Sequence, residues 1–157
     1  MRIDRKDARI LALVQGNNRL TAEQIGEQIG LSHTGVTRRL KRLRENAVIM
    51  ADVALVSAEA VGYAVRVNVS CSIERDTPDT HERFIQALRS EPAVISADSV
   101  MGKADFTFTV VARSMEHLRS LIRRYTAAFP TLKNVTSLVV LEEVKRGPVI
   151  PVEPSSA

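Results

Sequence analysis

The sequence predicts an α+β chain in two parts: an all-helical N-terminal third, then a run ordered strand, helix, strand, strand, helix, strand. Three observations carry this. Up to residue 45 the apolar residues recur every three or four positions, the spacing of one helix face. From residue 63 they alternate with period two, the mark of a half-buried strand. Capping residues, Gly and Pro fall at the joints between these segments.

Ile3, Ile10, Leu11 and Val14 share a stripe, so a first helix is expected over residues 4–14, broken by Gly16, Asn17 and Asn18. Thr21 and Gln24 have capping-box spacing and open a short helix with Ala22, Ile25 and Ile29 inside. Gly30 ends it, and Ser32 caps a third helix running to Glu45. Residues 48–61 form a link. Val48, Ile49, Val53, Leu55 and Val56 predict extended structure there: a wing hairpin and a connecting strand.

Over 63–73, Tyr63, Val65, Val67, Val69, Cys71 and Ile73 face one way; Ala64, Arg66, Asn68, Ser70 and Ser72 face the other. Thr77 and Pro78 start a helix bearing Phe84, Ile85 and Leu88, which Pro92 stops. Residues 93–101 and 105–112 read as strands around a turn at 102–104. Ser114 caps a helix striped with Leu118, Leu121, Ile122, Tyr125 and Phe129, and 135–144 reads as the last strand. Two such βαβ halves make a four-stranded antiparallel sheet with both helices on one face, a ferredoxin-like arrangement. The opposite face carries Arg66, Asn68, Ser70 and Ser72, suited to a subunit contact or a ligand cleft. The domains are thus residues 1–50, a link at 51–61, residues 62–146, and a loosely attached, Pro- and Ser-rich tail at 147–157.

Composition narrows the function. Of 157 residues, 45% are hydrophobic and only 4% aromatic, so the core is expected to rest on Ile, Leu, Val and Ala. No run approaches the roughly 18 apolar residues of a membrane span, and the charged start lacks a signal peptide's apolar run. Cys71 is the single cysteine, so no intrachain disulfide forms, and it reads as a small core residue. These features predict a cytoplasmic protein with no membrane partner. Residues 1–50 hold ten Lys/Arg against five Asp/Glu, a net +5 that exceeds the whole chain's +4. The positive excess therefore lies in the helical third, which predicts a polyanion partner for that part.

The third helix shows how. At 100° per residue, Val36, Leu40, Leu43 and Ala47 form an apolar stripe. Thr34, Arg38, Lys41 and Arg42 lie opposite, flanked by Thr37, Arg39 and Arg44. A short helix, a Gly turn and a helix with a basic outer face make a helix-turn-helix, the motif whose second helix enters the major groove of double-stranded DNA. His33, Thr34, Thr37 and Arg38 are expected nearest the bases, and Lys41, Arg42 and Arg44 at phosphates, with the flanking Arg39 counted in the same DNA-binding set.

These residues resemble the Lrp/AsnC family of transcriptional regulators over residues 3–145. Ile3-Asp4 through Asp7 to Ile10-Leu11 resembles the family's opening helix. Leu20-Thr21 to Leu31-Ser32 resembles its second helix and turn, and Val36 to Leu43 its recognition helix. Gly102 and Asp105 match its G-x-x-D element, and residues 139–145 its closing strand. The resemblance implies a winged helix-turn-helix joined to a ferredoxin-like effector and oligomerisation domain. It implies a homo-oligomer, a dimer assembling to an octamer, and a small amino acid bound at subunit contacts by Gly102 and Asp105, with Ser137 as a further lining residue. The chain departs from the family pattern at Ala47 and Thr131, where Gly is usual, at His33, where Pro is common, and at Lys103 and Ala104.

The expected function is sequence-specific DNA binding tuned by an amino-acid effector. Two alternatives remain open: an effector-free architectural DNA-binding protein, and an enzyme like the siroheme decarboxylases that the resemblance also reaches. His33, His81 and His117 have no metal-ligand spacing, and no Ser/His/Asp set, carboxylate pair or phosphate loop stands out. No catalytic residue, metal site or cofactor is therefore expected.

Overall fold

The computed structural model describes residues 1–74, 77–145, 147 and 149–154. They form two compact units: Met1–Ala54 with Lys145–Ala157, and Leu55–Val144.

The first unit holds α1 (Arg5–Gly16), α2 (Ala22–Ile29) and α3 (His33–Glu45). Each begins where a side chain satisfies the unpaired amides of its first turn. Asp4 accepts from the Lys6 and Asp7 amides at 2.8 Å each, while Asp7 accepts from the Asp4 amide at 3.2 Å. Thr21 and Gln24 close the predicted capping box on α2, and Ser32 accepts from the Gly35 amide at 3.2 Å. Ile10, Leu11, Ile25, Ile29, Val36, Leu40 and Leu43 meet in one core.

The turn between α2 and α3 needs two glycines, Gly30 at its start and Gly26 one helical turn earlier within α2. Gly30 adopts φ +67°, a left-handed conformation that costs any other L-residue about 1–2 kcal/mol. Gly26 meets the returning chain so closely that a Cβ there would lie 2.4 Å from the Leu31 carbonyl oxygen. α3 ends in the same left-handed way without glycine. Ala47 has φ +53°, its N–H donates to the Arg44 carbonyl, and the Val48 N–H reaches back to the Leu43 carbonyl, a Schellman pair. The apolar stripe therefore stops at Leu43, and Ala47 is exposed.

Two expectations for the flanks are corrected. Residues 50–57 carry no strand, so the wing hairpin is absent, and the link ends in a 3-10 turn, Glu59–Val61. Val53, Leu55 and Val56 are largely exposed, because no second strand of this chain lies beside them to share a ladder. The tail was expected to be loose, yet its described part is held. The Gln15 side chain donates to the Ile150 carbonyl at 3.0 Å and accepts the Ile150 N–H at 2.8 Å, and Val152 packs on the first core. Pro148 and residues 155–157 of that expected tail lie outside the described residues.

The second unit holds β1 (Val65–Ile73), α4 (Pro78–Ser90), β2 (Val94–Ser99), β3 (Phe106–Ala112), α5 (Met115–Ala128) and β4 (Leu132–Val139). The sheet order is β2-β3-β1-β4, antiparallel throughout. The period-two reading of β1 holds: Val67, Val69, Cys71 and Ile73 are buried, while Asn68 is exposed and Ser70 and Ser72 are half-covered. β4 begins three residues earlier than expected and ends at Val139. A bulge opposite Ser70 and Ser72, with Asn134 at φ +51°, shifts its register, and its partner β1 runs out at Val65.

Part of this unit's core is the aliphatic one expected, built from Val67, Val69, Ala93, Val110, Ala112, Leu118 and Leu121, and beside it lies an aromatic cluster that composition did not announce. All four phenylalanines gather there. The Phe84 ring meets Phe106 and Phe129 edge-on at 5.0 and 5.1 Å, with Tyr125 beside them. Five of the six aromatics thus meet one another, with Phe84 and Phe106 fully buried at the centre, while Tyr63 lies apart beside the Arg113 guanidinium. Among the described residues no helix is long and apolar enough to cross a membrane.

Candidate nucleic-acid interface and effector turn

On α3, Val36, Leu40 and Leu43 are buried. His33, Thr34, Thr37, Arg38, Lys41, Arg42 and Arg44 are exposed. The Thr37 hydroxyl donates to the His33 carbonyl at 3.0 Å, and the Thr34 hydroxyl lies 3.2 Å from that of Ser32, which leaves acceptor lone pairs outward. Arg38 makes no ion pair among the described residues. Lys41 reaches Glu45 only at 3.7 Å with both side chains largely exposed, a pair of little energetic weight that water and salt screen.

The other three arginines are engaged, and for Arg39 the expectation of an outward flank is corrected. Its guanidinium Nη1 lies 2.6 Å from Asp4 and 2.8 Å from Asp7, and its side chain is 21% exposed. Arg42 donates to Asp7 at 2.6 Å, and Arg44 to Asp52 at 2.8 Å. Asp7 is fully buried. Stripping a partner from a buried ion pair leaves an uncompensated charge and costs about 3–5 kcal/mol, so these contacts tie α3 to α1. The signal for Asp7 is present in the sequence: it falls on the helical stripe of Ile3, Ile10, Leu11 and Val14, so its carboxylate faces inward.

The charges respond to one another. The Asp7 amide, with help from Arg39, holds the Asp4 carboxyl below its ordinary 3.8, against desolvation. The hydrogen bonds that Arg39 donates to Asp4 and Asp7 raise the pKa of its guanidinium. Arg44 and Asp52 shift each other in the same sense, the arginine up and the carboxyl down. α1 also supplies cations to the end of α2: Lys6 donates to the Ile29 carbonyl, and Arg9 to that of Gln28 at 2.8 Å. These bonds satisfy orphan carbonyls at the negative end of the helix dipole.

In the second unit Gly102 and Asp105 flank the β2–β3 turn. Gly102 is exposed, and beyond its own chain neighbours no atom lies within 4 Å of where a Cβ would stand. Asp105 is anchored from three sides: its N–H donates to the Cys71 carbonyl at 3.0 Å, its carbonyl accepts from Val100 at 2.9 Å, and its Oδ2 accepts the Ile73 amide at 2.8 Å. Burial, with the Asp105 charge as the lesser cause, pushes the Cys71 thiol up to about 11, so Cys71 stays a neutral core residue. Ser137 is not brought to this turn. It is exposed on β4 opposite Val69, on the far side of β1. Two strand spacings and three residues of rise separate it from Asp105 by about 14 Å.

The histidines occupy three different helices. His33 is exposed at the start of α3, His81 stands with its ring centroid 4.8 Å from that of Phe106, and His117 Nδ1 accepts the Arg113 amide at 3.2 Å.

Comparison with known proteins is consistent across the chain. The model of the AsnC-type helix-turn-helix domain matches residues 3–44, and that of the Lrp/AsnC ligand binding domain matches residues 66–150. An HTH-type transcriptional regulator of Sinorhizobium fredii is 40% identical over 153 residues, covering 98% of this chain and 90% of that protein. The DNA-binding transcriptional activator DecR of Escherichia coli is 26% identical over 151 residues, covering 96% and 99%. A transcriptional regulator of Neisseria meningitidis, solved as a complex with L-Met, superposes with a TM-score of 0.88 at 27% identity, covering 94% of this chain and 96% of that one.

Proposed function

The chain belongs to the Lrp/AsnC family of transcriptional regulators, and from that premise we propose that it reads a specific DNA site with α3 and binds a small amino acid at the Gly102–Asp105 turn. The carrying observation is the division of α3. One face is sealed by Val36, Leu40 and Leu43, and the other holds His33, Thr34, Thr37, Arg38 and Lys41 out to solvent. The first four stand at the helix's N-terminal end, which reaches base edges when such a helix enters the major groove. Arg38 is a donor fork without an ion-pair partner among the described residues, suited to the O6 and N7 acceptors of guanine. Lys41 serves a phosphate. Arg42 and Arg44, each paired with a carboxylate, are drawn away from direct phosphate contact.

For the effector, the L-Met bound by the Neisseria relative supports an amino acid. Asp105 commits Oδ2 to Ile73, and the opposite carboxylate oxygen is the acceptor for a ligand ammonium. The open space at Gly102 admits ligand close to the backbone. Ser137 joins the ligand in this reading only as a contribution from a second subunit. The effector would act by linkage: a ligand that prefers one homo-oligomer shifts the population toward it and changes how many recognition helices engage DNA together.

The test is binding of the full chain to its gene's own upstream region and to a scrambled duplex across a salt series. Tighter binding to the native duplex is expected. Arg38→Ala should weaken native-site binding by about ten- to a hundredfold, the worth of one bidentate base contact, and scrambled-site binding much less. Equal affinity for both duplexes would instead assign an architectural role.

A further inference from the structure

We propose that Asp7 is a positioning residue for DNA reading: it sets the rotation of α3 and withholds two arginines from the phosphates. Asp7 is the charged side chain buried completely among the described residues, and it stands on α1, not on the reading helix. Its two oxygens take different arginines. Oδ1 accepts from Arg39 at 2.8 Å, and Oδ2 from Arg42 at 2.6 Å. Asp4 doubles the hold on Arg39 at 2.6 Å.

Arg39 and Arg42 are three residues apart, so they leave α3 about 60° from each other around its axis. They lie between the buried stripe and the exposed row of Thr34, Arg38 and Lys41. An apolar stripe tolerates small rotations, because dispersion contacts are weak and non-directional one by one. A carboxylate gripped at two points by charged donors does not, since those bonds weaken steeply with angle. The clamp therefore fixes which side chains face outward. It also places both guanidinium groups opposite a carboxylate. Binding that ignores sequence gains affinity from every free cation, so neutralising two of them favours discrimination over raw affinity.

This inference rests on the reading of α3 as the DNA-contacting helix, and the test separates the two. Asp7→Asn keeps the size and one acceptor oxygen but removes the charge. With a native thermal transition, this variant should bind scrambled DNA more tightly. Its native-to-scrambled affinity ratio should fall by about tenfold, the discrimination of one base contact. Its salt slope should steepen by about 0.9 for each arginine released. If Asp7→Asn does not fold, Arg42→Gln tests the same point. The clamp predicts a reduced affinity ratio with the wild-type salt slope. A slope shallower by about 0.9 with the ratio intact would make Arg42 a plain phosphate contact and overturn the inference. A folded Asp7→Asn variant with wild-type ratio and slope would overturn it equally. Wild-type protein that binds neither duplex would remove the underlying reading as well, and that result is visible before any variant is made.

Discussion

Ala47 holds a backbone conformation at φ +53° that its own side chain disfavours. The Schellman pair from Ala47 and Val48 to Arg44 and Leu43 closes α3, and a left-handed residue is the geometric requirement for that closure. Replacing Ala47 with Gly removes the clash of Cβ with the following carbonyl and adds some entropy to the unfolded chain. The balance should stabilise the protein by about 0.5–1 kcal/mol. Urea unfolding would show this as a higher midpoint at constant slope; an unchanged midpoint would mean that neighbouring backbone already relieves the strain. Gly26 is the opposite case. There the barrier to a side chain is a carbonyl oxygen 2.4 Å from the Cβ position, which no rotamer relieves.

At the scale of elements, the β2–β3 hairpin carries two demands on one carboxylate. Asp105 completes the ladder end by taking the Ile73 amide, and in the proposed effector site it also meets an ammonium. Substitutions separate these roles. Asp105→Ala orphans a part-buried N–H and should cost about 1–3 kcal/mol. Asp105→Asn retains an acceptor for Ile73 and should leave the melting temperature of the free protein nearly unchanged. Both should abolish the thermal shift produced by an L-amino acid panel that includes L-Met. A shift that survives Asp105→Asn would place the ligand elsewhere. α1 shows the same economy. Its N-terminal carboxylates cap their own helix, clamp α3 and leave Lys6 and Arg9 to cap α2. A helix that contributes no expected DNA contact thereby organises the one that does.

At the scale of the whole molecule, the chain's last described residues return to the helical unit formed by its first. Gln15 binds both backbone groups of Ile150, and Val152 covers part of the core. Deleting residues 149–157 should lower the stability of that unit by about 1–3 kcal/mol, from lost apolar burial and two exposed hydrogen bonds. Amide exchange in α1 would report it; protection equal to the full chain would show that the contact carries no stability. The sequence by itself determined the order and type of nearly every element, the N-caps Thr21 and Ser32, the glycine turn at Gly30 and the inward face of β1. Each of these is written within a turn of helix or one pleat, where spacing and capping chemistry act on near neighbours. Likewise the outward set His33, Thr34, Thr37, Arg38 and Lys41 follows from 100° steps around one helix. Only the tertiary structure decided that Arg39 and Arg42 close on Asp7 and that β4 slips past a bulge at Asn134. It alone also decided that no hairpin forms after α3, that the phenylalanines converge, and that Gln15 finds a partner 135 residues away. A charge's partner, a strand's register and a tail's resting place depend on where distant backbones come to lie, and local periodicity carries no record of that.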